Sequence, residues 1–215
     1  SCVKIYANPK IELYKKLDFM IRNPPEFLGE NLKICWPQNL VFDPYQTNKF
    51  LGFVMPVAFP ASCQLQTLLV SGHRLDWSKK FDRNTRSGFR NTLALAKNIA
   101  LTLYRIHLIG NKIHLGSGYV VGDLKPENIM VNEFSQVSLI DIDSIQINAR
   151  QLFYPVTAYT PEYASPELIK ISNNTPSQMA SDNFSLAVIL YRILIGIHPF
   201  MGTIRNKKGL PLQEG

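Results

Sequence analysis

Val121-Gly122-Asp123-Leu124-Lys125-Pro126-Glu127-Asn128 is the densest polar cluster of the chain, and Ile140-Asp141-Ile142-Asp143 follows it, with Asp141 thirteen residues beyond Asn128. The residues between read as two short strands, 129–131 and 137–142, carrying several β-branched side chains. Two strands joined by so short a connection pair as a hairpin, which returns Asp141 to the neighbourhood of Asp123, Lys125 and Asn128. A carboxylate to orient an attacking hydroxyl, a cation for a moving phosphoryl group and hard oxygen donors for a divalent metal then share one place. Phosphoryl transfer needs those parts and asks for little covalent chemistry from the protein beyond them.

Downstream of this cluster a proline-containing loop leads to residues 182–195, apolar almost all round, as suits a helix in the middle of a lobe rather than on its surface. Upstream, Leu93, Ala96, Ala100 and Leu103 recur at helical spacing within 92–109. Earlier still the character is strand-like. Cys2-Val3-Lys4-Ile5-Tyr6 alternates, and 39–42 and 50–57 read as two strands joined across Asp43-Pro44 and Gln46-Thr47-Asn48. Between the first of these strands and the second, 10–21 reads as a helix with Leu13, Leu17, Met20 and Ile21 on one face, stopped by Asn23-Pro24-Pro25. A small strand-rich half before a larger helical half is an α+β arrangement in two lobes, divided here into residues 1–57 and 58–215. A strand at the start of the chain needs a partner, so this reading places further strands ahead of Ser1.

The 215 residues are 46% hydrophobic and 18% charged, the balance of a globular protein rather than a disordered or fibrous one. The longest apolar run, 186–197, is interrupted by Arg192 and too short to span a bilayer, and no signal-peptide pattern opens the chain. Cys2, Cys35 and Cys63 are widely spaced without a CxxC pair, which argues against a zinc site or disulfide framework and for a reducing cytoplasm. The formal charge of +7 is spread over doublets such as Lys15-Lys16, Lys79-Lys80 and Lys207-Lys208, a solvated basic surface rather than a nucleic-acid site. His73, His107, His114 and His198 stand with no plausible nucleophile and read as packing or surface residues, and Trp36 and Trp77 read as packing.

With its motifs in this order, the chain resembles the eukaryotic-type protein kinase family. Asp123-Leu124-Lys125-Pro126-Glu127-Asn128 is similar to that family's catalytic loop in its serine/threonine form, and Asp141 falls at the metal-binding Asp of the Asp-Phe-Gly motif. Thr160-Pro161-Glu162-Tyr163-Ala164-Ser165-Pro166-Glu167 resembles the end of the activation segment, with Ser-Pro-Glu for Ala-Pro-Glu. Asp182-Asn183-Phe184-Ser185-Leu186 resembles the start of the buried central helix whose Asp ties down the catalytic loop, and Gly196-Ile197-His198-Pro199-Phe200 resembles its close.

The resemblance implies a serine/threonine protein kinase using ATP with Mg²⁺ or Mn²⁺. It makes Asp123 the carboxylate that orients the hydroxyl, Lys125 the cation on the phosphoryl group, and Asn128 and Asp141 the metal ligands. Lys4 becomes the strand lysine on the α- and β-phosphates. Its helix partner would be Glu12, with Asp18 as the fallback and a surface Glu12–Lys16 pair as the bland reading. Met55 would be the gatekeeper of a hinge in which the Pro56 carbonyl and the Ala58 N–H meet adenine. Met130 would lie beneath the ring, or simply be a core methionine. A narrower resemblance is to a bacterial group with Lys-Ile-Tyr, a Pro-Pro after a short helix, Gly-Phe-x-Met-Pro and Gly-Asp-Leu, typically encoded beside a PP2C-type phosphatase and a von Willebrand A-domain protein of the tellurium-resistance type; it implies the first as the opposing enzyme and the second as a substrate.

The departures keep other readings open. His-Arg-Asp is here Val121-Gly122-Asp123, Asp-Phe-Gly is Asp141-Ile142-Asp143, and the sequence starts too close to Lys4 to show a glycine-rich loop before it. A pseudokinase that binds a partner fits those losses. A small-molecule kinase of the aminoglycoside or choline type shares Gly-Asp-Leu-x-x-x-Asn but lacks the 160–167 segment. Asp141-Ile142-Asp143 alone would also suit a sugar transferase. Asp143 has no family role and reads as an extra metal ligand or a turn cap. Gly122 offers no guanidinium to a phosphate on Thr157 or Tyr159, so activity should not require loop phosphorylation unless another basic residue, such as Arg150, substitutes.

Overall fold

A computed structural model describes residues 1–24, 29–46, 49–70, 75–113, 118–149, 152–170 and 176–201. The chain is α+β, a sheet-rich N-terminal part followed by a mainly helical part, as the sequence predicts. Strand β1 (Cys2–Ile5) pairs antiparallel with β4 (Phe50–Met55), which pairs on its other edge with β3 (Asn39–Phe42). The alternation of β1 points Lys4 inward and leaves Val3 and Ile5 exposed, because successive side chains leave opposite faces of a strand. Gly52 of β4 opposes Ile5, and a Cβ there would sit 1.9 Å from the Lys4 carbonyl oxygen. Only glycine lets β4 approach the lysine strand so closely.

Helix α1 (Ile11–Arg22) packs on β3 and β4. Leu17 and Met20 are buried as expected, and Leu13 packs against the core; Ile21 is only half-buried, and Lys16 is buried in their company. The helix stops at Asn23, whose N–H donates to the Met20 carbonyl and whose side chain donates to that of Phe19. Pro25 lies outside the described residues. Strand β4 ends at Met55 rather than at residue 57, since Pro56 brings no N–H to a ladder.

The second sheet runs β2-β8-β7-β5. Strands β7 (Ile129–Val131) and β8 (Val137–Leu139) are the expected hairpin, while β2 (Leu32–Ile34) and β5 (Cys63–Gln64) are too short to signal themselves. Strand β2 pairs parallel with β8 and so joins the N-terminal part to the hairpin. A third sheet, β10-β9-β6, holds β6 (Gly118–Val120), β9 (Gln146–Ala149) and β10 (Leu152–Tyr154).

Two short helices, α2 (Leu65–Leu69) and α4 (Pro166–Lys170), precede the long ones in the chain. Helix α3 (Arg86–Ile113) starts six residues before the predicted 92, after Thr85, whose hydroxyl accepts from the Gly88 N–H as an N-terminal cap. Its buried stripe is Thr92, Leu95, Ala96, Ile99, Leu103 and Ile106; the predicted Leu93 is exposed and Ala100 half-buried. Helix α5 (Met179–Ile195) ends at Gly196, held at φ +94° with its N–H on the Arg192 carbonyl. Its buried side is Ser181, Asp182, Ser185, Val188, Ile189 and Ile193, and Tyr191 and Ile195 are exposed. Trp36 is buried against Tyr119, its indole N–H donating to the Met20 carbonyl at 2.7 Å. Among the described residues no helix is long and apolar enough to cross a membrane.

Candidate active site

The β7–β8 hairpin and the loop before it assemble the polar cluster. Asn128 ends a single turn of 3-10 helix, Pro126–Asn128, and its carbonyl accepts from the Ile140 N–H at 2.9 Å, which ties the entry and exit of the hairpin together. The Asn128 side-chain amide donates to the Asp123 carbonyl at 2.9 Å and its carboxylate at 3.3 Å. Asp123 is 7% exposed. Its other oxygen accepts from the Thr160 hydroxyl at 2.7 Å, and the Lys125 ammonium lies 2.9 Å from both the Asp123 carboxylate and the Thr160 hydroxyl. Three of the residues singled out in the sequence thus meet, and Thr160 joins them from 37 positions away.

Asp182, at the start of α5, holds this loop from below. It is 0% exposed and accepts from the N–H groups of Val121 at 2.7 Å and Gly122 at 2.8 Å. His107 Nε2 lies 2.8 Å from the same carboxylate. His107, which the sequence left as a packing residue, is therefore part of the loop's support, and nothing local in α3 signals it. Gly122 sits at φ +73°, and a Cβ there would come within 2.5 Å of Val156. Val156 occupies the space in which a side chain would start.

Asp141 follows β8 in a left-handed conformation, φ 57° and ψ 37°, which turns the chain into a second 3-10 turn, Ile142–Ser144. Ile142 takes the place of an aromatic residue and is buried in the core cluster with Leu17, Met20 and Val121. The Asp141 side chain is 49% exposed and pairs with the Lys4 ammonium. Lys4 also donates to both oxygens of Asp143, at 2.7 and 3.0 Å, and the Tyr6 hydroxyl donates to Asp143 as well. Burial works against the Lys4 charge, but its hydrogen bonds to Asp141 and Asp143 outweigh that, and its pKa is raised. Asp143 is the reciprocal case: burial opposes its ionisation, the bonds from Lys4 and Tyr6 win, and its pKa is lowered. Tyr6 shares the inward face of the first strand's extension with Lys4, a placement that period-2 alternation makes readable.

The expected Glu12–Lys4 pair does not form. Glu12 is exposed and has no ion-pair partner among the described residues, because Asp141 and Asp143 already surround the lysine. The fallback Asp18 pairs instead with Arg22 at 2.8 Å. The surface Glu12–Lys16 pair is absent too, since Lys16 is 3% exposed and its ammonium has no hydrogen-bond partner. The Asp143 carboxylate accepts from Lys4 and Tyr6.

Burial lowers the Lys16 pKa from 10.5 to about 8, against a smaller opposing pull from Asp143. Below pH 8 the folded protein bears the cost of a buried ammonium, and that cost disappears as pH rises from about 8 to 10.5, where only the unfolded chain still binds the proton. Lys16→Met is expected to stabilise the protein by on the order of 2 kcal/mol at pH 7, an advantage that fades toward pH 10.5. Thermal unfolding of both proteins across that range checks it; an advantage that grows with pH would contradict it.

Met55 closes β4 opposite Cys2, and Pro56 and Ala58 follow in the connection to β5, both half-buried. Among the described residues no hydrogen bond is formed by the Pro56 carbonyl or the Ala58 N–H. Met130 lies in β7 opposite Gln64 and Ser138, half-buried.

A family model described as "Protein kinase domain" matches residues 82–212, which include Asp123, Lys125, Asn128, Asp141, Thr160 and Asp182. The chain is 28% identical over 206 residues to "Protein kinase YegI" of Escherichia coli O157:H7, a match covering 94% of this chain and 29% of that protein. The same protein of Escherichia coli strain K12 matches over the same lengths. A "Probable cAMP-dependent protein kinase catalytic subunit" of Encephalitozoon cuniculi is 35% identical over 85 residues, 40% of this chain and 25% of that one. The chain thus spans under a third of the YegI proteins it matches. The loop held by Asp182, the hairpin that returns Asp141 to the lysine strand and the match across 82–212 converge on one family, and the chain belongs to the protein kinase domain family.

Proposed function

We propose that this chain transfers the γ-phosphoryl group of ATP to serine or threonine hydroxyls of a protein. The observation that carries the reading is the triangle of Asp123, Lys125 and Thr160, closed by contacts of 2.7 to 2.9 Å. A hydroxyl arriving beside Asp123 meets a carboxylate that can hold and accept its proton, and Lys125 stands ready for charge on the moving phosphoryl group. Thr160 itself places an aliphatic hydroxyl against Asp123, which supports serine or threonine as acceptor. Asp141 and the Asn128 amide are hard oxygen donors of the kind Mg²⁺ takes one or two at a time, and Asp141 is half exposed toward a ligand. Bound metal would neutralise phosphate charge. The Pro56 carbonyl and Ala58 N–H would orient the adenine, with Met130 beneath it, and residues 1–57 and 58–215 would act as the two lobes around the nucleotide. Acid hydrolysis of labelled product and separation of the phosphoamino acids tests the acceptor: phosphoserine and phosphothreonine are expected, and predominant phosphotyrosine would overturn it. The resemblance further proposes a von Willebrand A-domain protein as substrate, an opposing PP2C-type phosphatase, and a cytoplasmic setting.

Regulation follows from Gly122. Val156 fills the space where a side chain at 122 would begin, so a phosphate on Thr157 or Tyr159 meets no guanidinium there. Arg150 lies outside the described residues. Phosphatase-treated enzyme and a Thr157→Ala, Tyr159→Phe double variant should both keep most of their activity toward added substrate. Loss of transfer in the treated enzyme, restored by rephosphorylation, would contradict this.

A further inference from the structure

We propose that Asp143, on the turn after Asp141, is the residue that positions Lys4 for nucleotide, in place of a carboxylate on helix α1. The proposal rests on the phosphoryl-transfer reading above and assigns a role to a residue that reading leaves idle. Helix α1 shares a cavity with Lys4, yet the acidic residue it brings there, Glu12, is exposed and unpaired among the described residues. The buried α1 residue on this cavity is a base, Lys16, near enough to Asp143 to be influenced by its charge. Glu12, Lys16, Lys4, Asp143 and Tyr6 line one cavity of about 630 Å³ between α1, β1 and the turn. Helix α1 brings an acid as well as a base to this cavity, but among the described residues the carboxylates that pair with Lys4 are those of Asp141 and Asp143 and not that of Glu12.

Asp143 has what such an acid needs. Its carboxylate engages Lys4 through both oxygens, at 2.7 and 3.0 Å, and is largely shielded from water. The Tyr6 hydroxyl, on the same strand face as Lys4, pins one of those oxygens. Asp143 is also one turn from the core, next to the buried Ile142. Asp141, the second carboxylate on Lys4, is the more exposed of the two and is the one a metal would claim. When it is drawn away, Asp143 still holds the lysine. Because Asp143 sits on the same hairpin exit as Asp141, the lysine is aligned by the turn itself, and its alignment does not depend on a swing of α1.

The test is made with the full-length protein. Mg²⁺–ADP affinity is measured by calorimetry, and kcat and KM for ATP are measured separately, for wild type, Asp143→Asn, Asp143→Glu, Glu12→Gln and Lys4→Met. Asp143→Asn is expected to weaken nucleotide binding by about tenfold or more, with KM rising alongside, and Asp143→Glu to recover part of it. Glu12→Gln should match wild type. Combining Asp143→Asn with Lys4→Met should cost no more than Lys4→Met alone, because Asp143 acts through the lysine. Tyr6→Phe, a milder change, should raise the KM for ATP while the fold persists, and it decides the matter if Asp143→Asn does not fold. Asp143→Asn and Tyr6→Phe binding nucleotide as wild type does, or a larger loss in Glu12→Gln, would overturn the proposal alone. A wild type that binds nucleotide without transferring phosphate would sink the kinase reading and leave this inference to be decided on binding. Absence of nucleotide binding in wild type would overturn both.

Discussion

Asp123→Asn is expected to lower turnover by about a thousandfold while leaving nucleotide affinity within about twofold, the range set by loss of a positioned base. The substitution preserves the shape of the side chain, and Thr160 and Asn128 can still hydrogen-bond to it. It removes the charge that Lys125 faces at 2.9 Å and the oxygen able to accept a proton. Nucleotide affinity rests elsewhere in this account, on Lys4, Asp141 and the backbone at Pro56 and Ala58. Steady-state kinetics with a nucleotide titration separates the two. Turnover near that of wild type would remove Asp123 from the role.

The second large effect is structural. Asp182→Ala is expected to cost about 3–5 kcal/mol, because it strips a buried acceptor from three groups at once. The Val121 and Gly122 N–H groups and His107 all converge on that carboxylate within 2.8 Å, at a site closed to water. Asp182→Asn keeps one acceptor oxygen and is expected to fall between. Chemical denaturation of the three proteins gives the order. An Asp182→Ala protein as stable as wild type would mean that the loop before Asp123 is held by something other than α5.

Much of this was legible in the residues. The hairpin was legible in the β-branched side chains on either side of a polar turn, and so the return of Asp141 followed, although β8 ends at Leu139 and not at 142, because Asp141 turns left-handed into the 142–144 turn. The α1 face was legible from Leu17 and Met20. What escaped has identifiable physical causes. Strands β2 and β5 are three and two residues long, too short for a periodic pattern to emerge. The start of α3 was hidden because Arg86-Ser87-Gly88 carries no apolar stripe, although Thr85 caps it. The spacing of Glu12 points to a helix as the source of the Lys4 partner, and it cannot reveal that a left-handed Asp141 folds Asp143 back onto the first strand. His107 and Asp182 are 75 positions apart, and no local pattern joins them.

The central claim is that this arrangement moves phosphate. The direct measurement is transfer of label from γ-³²P-ATP to a generic protein acceptor by the purified full-length protein, with Mg²⁺ and again with the metal chelated. Label is expected on the acceptor with Mg²⁺ and none without it. Protein that binds Mg²⁺–ATP but labels neither the acceptor nor itself would contradict it, and would make the site a nucleotide-binding module that performs no transfer.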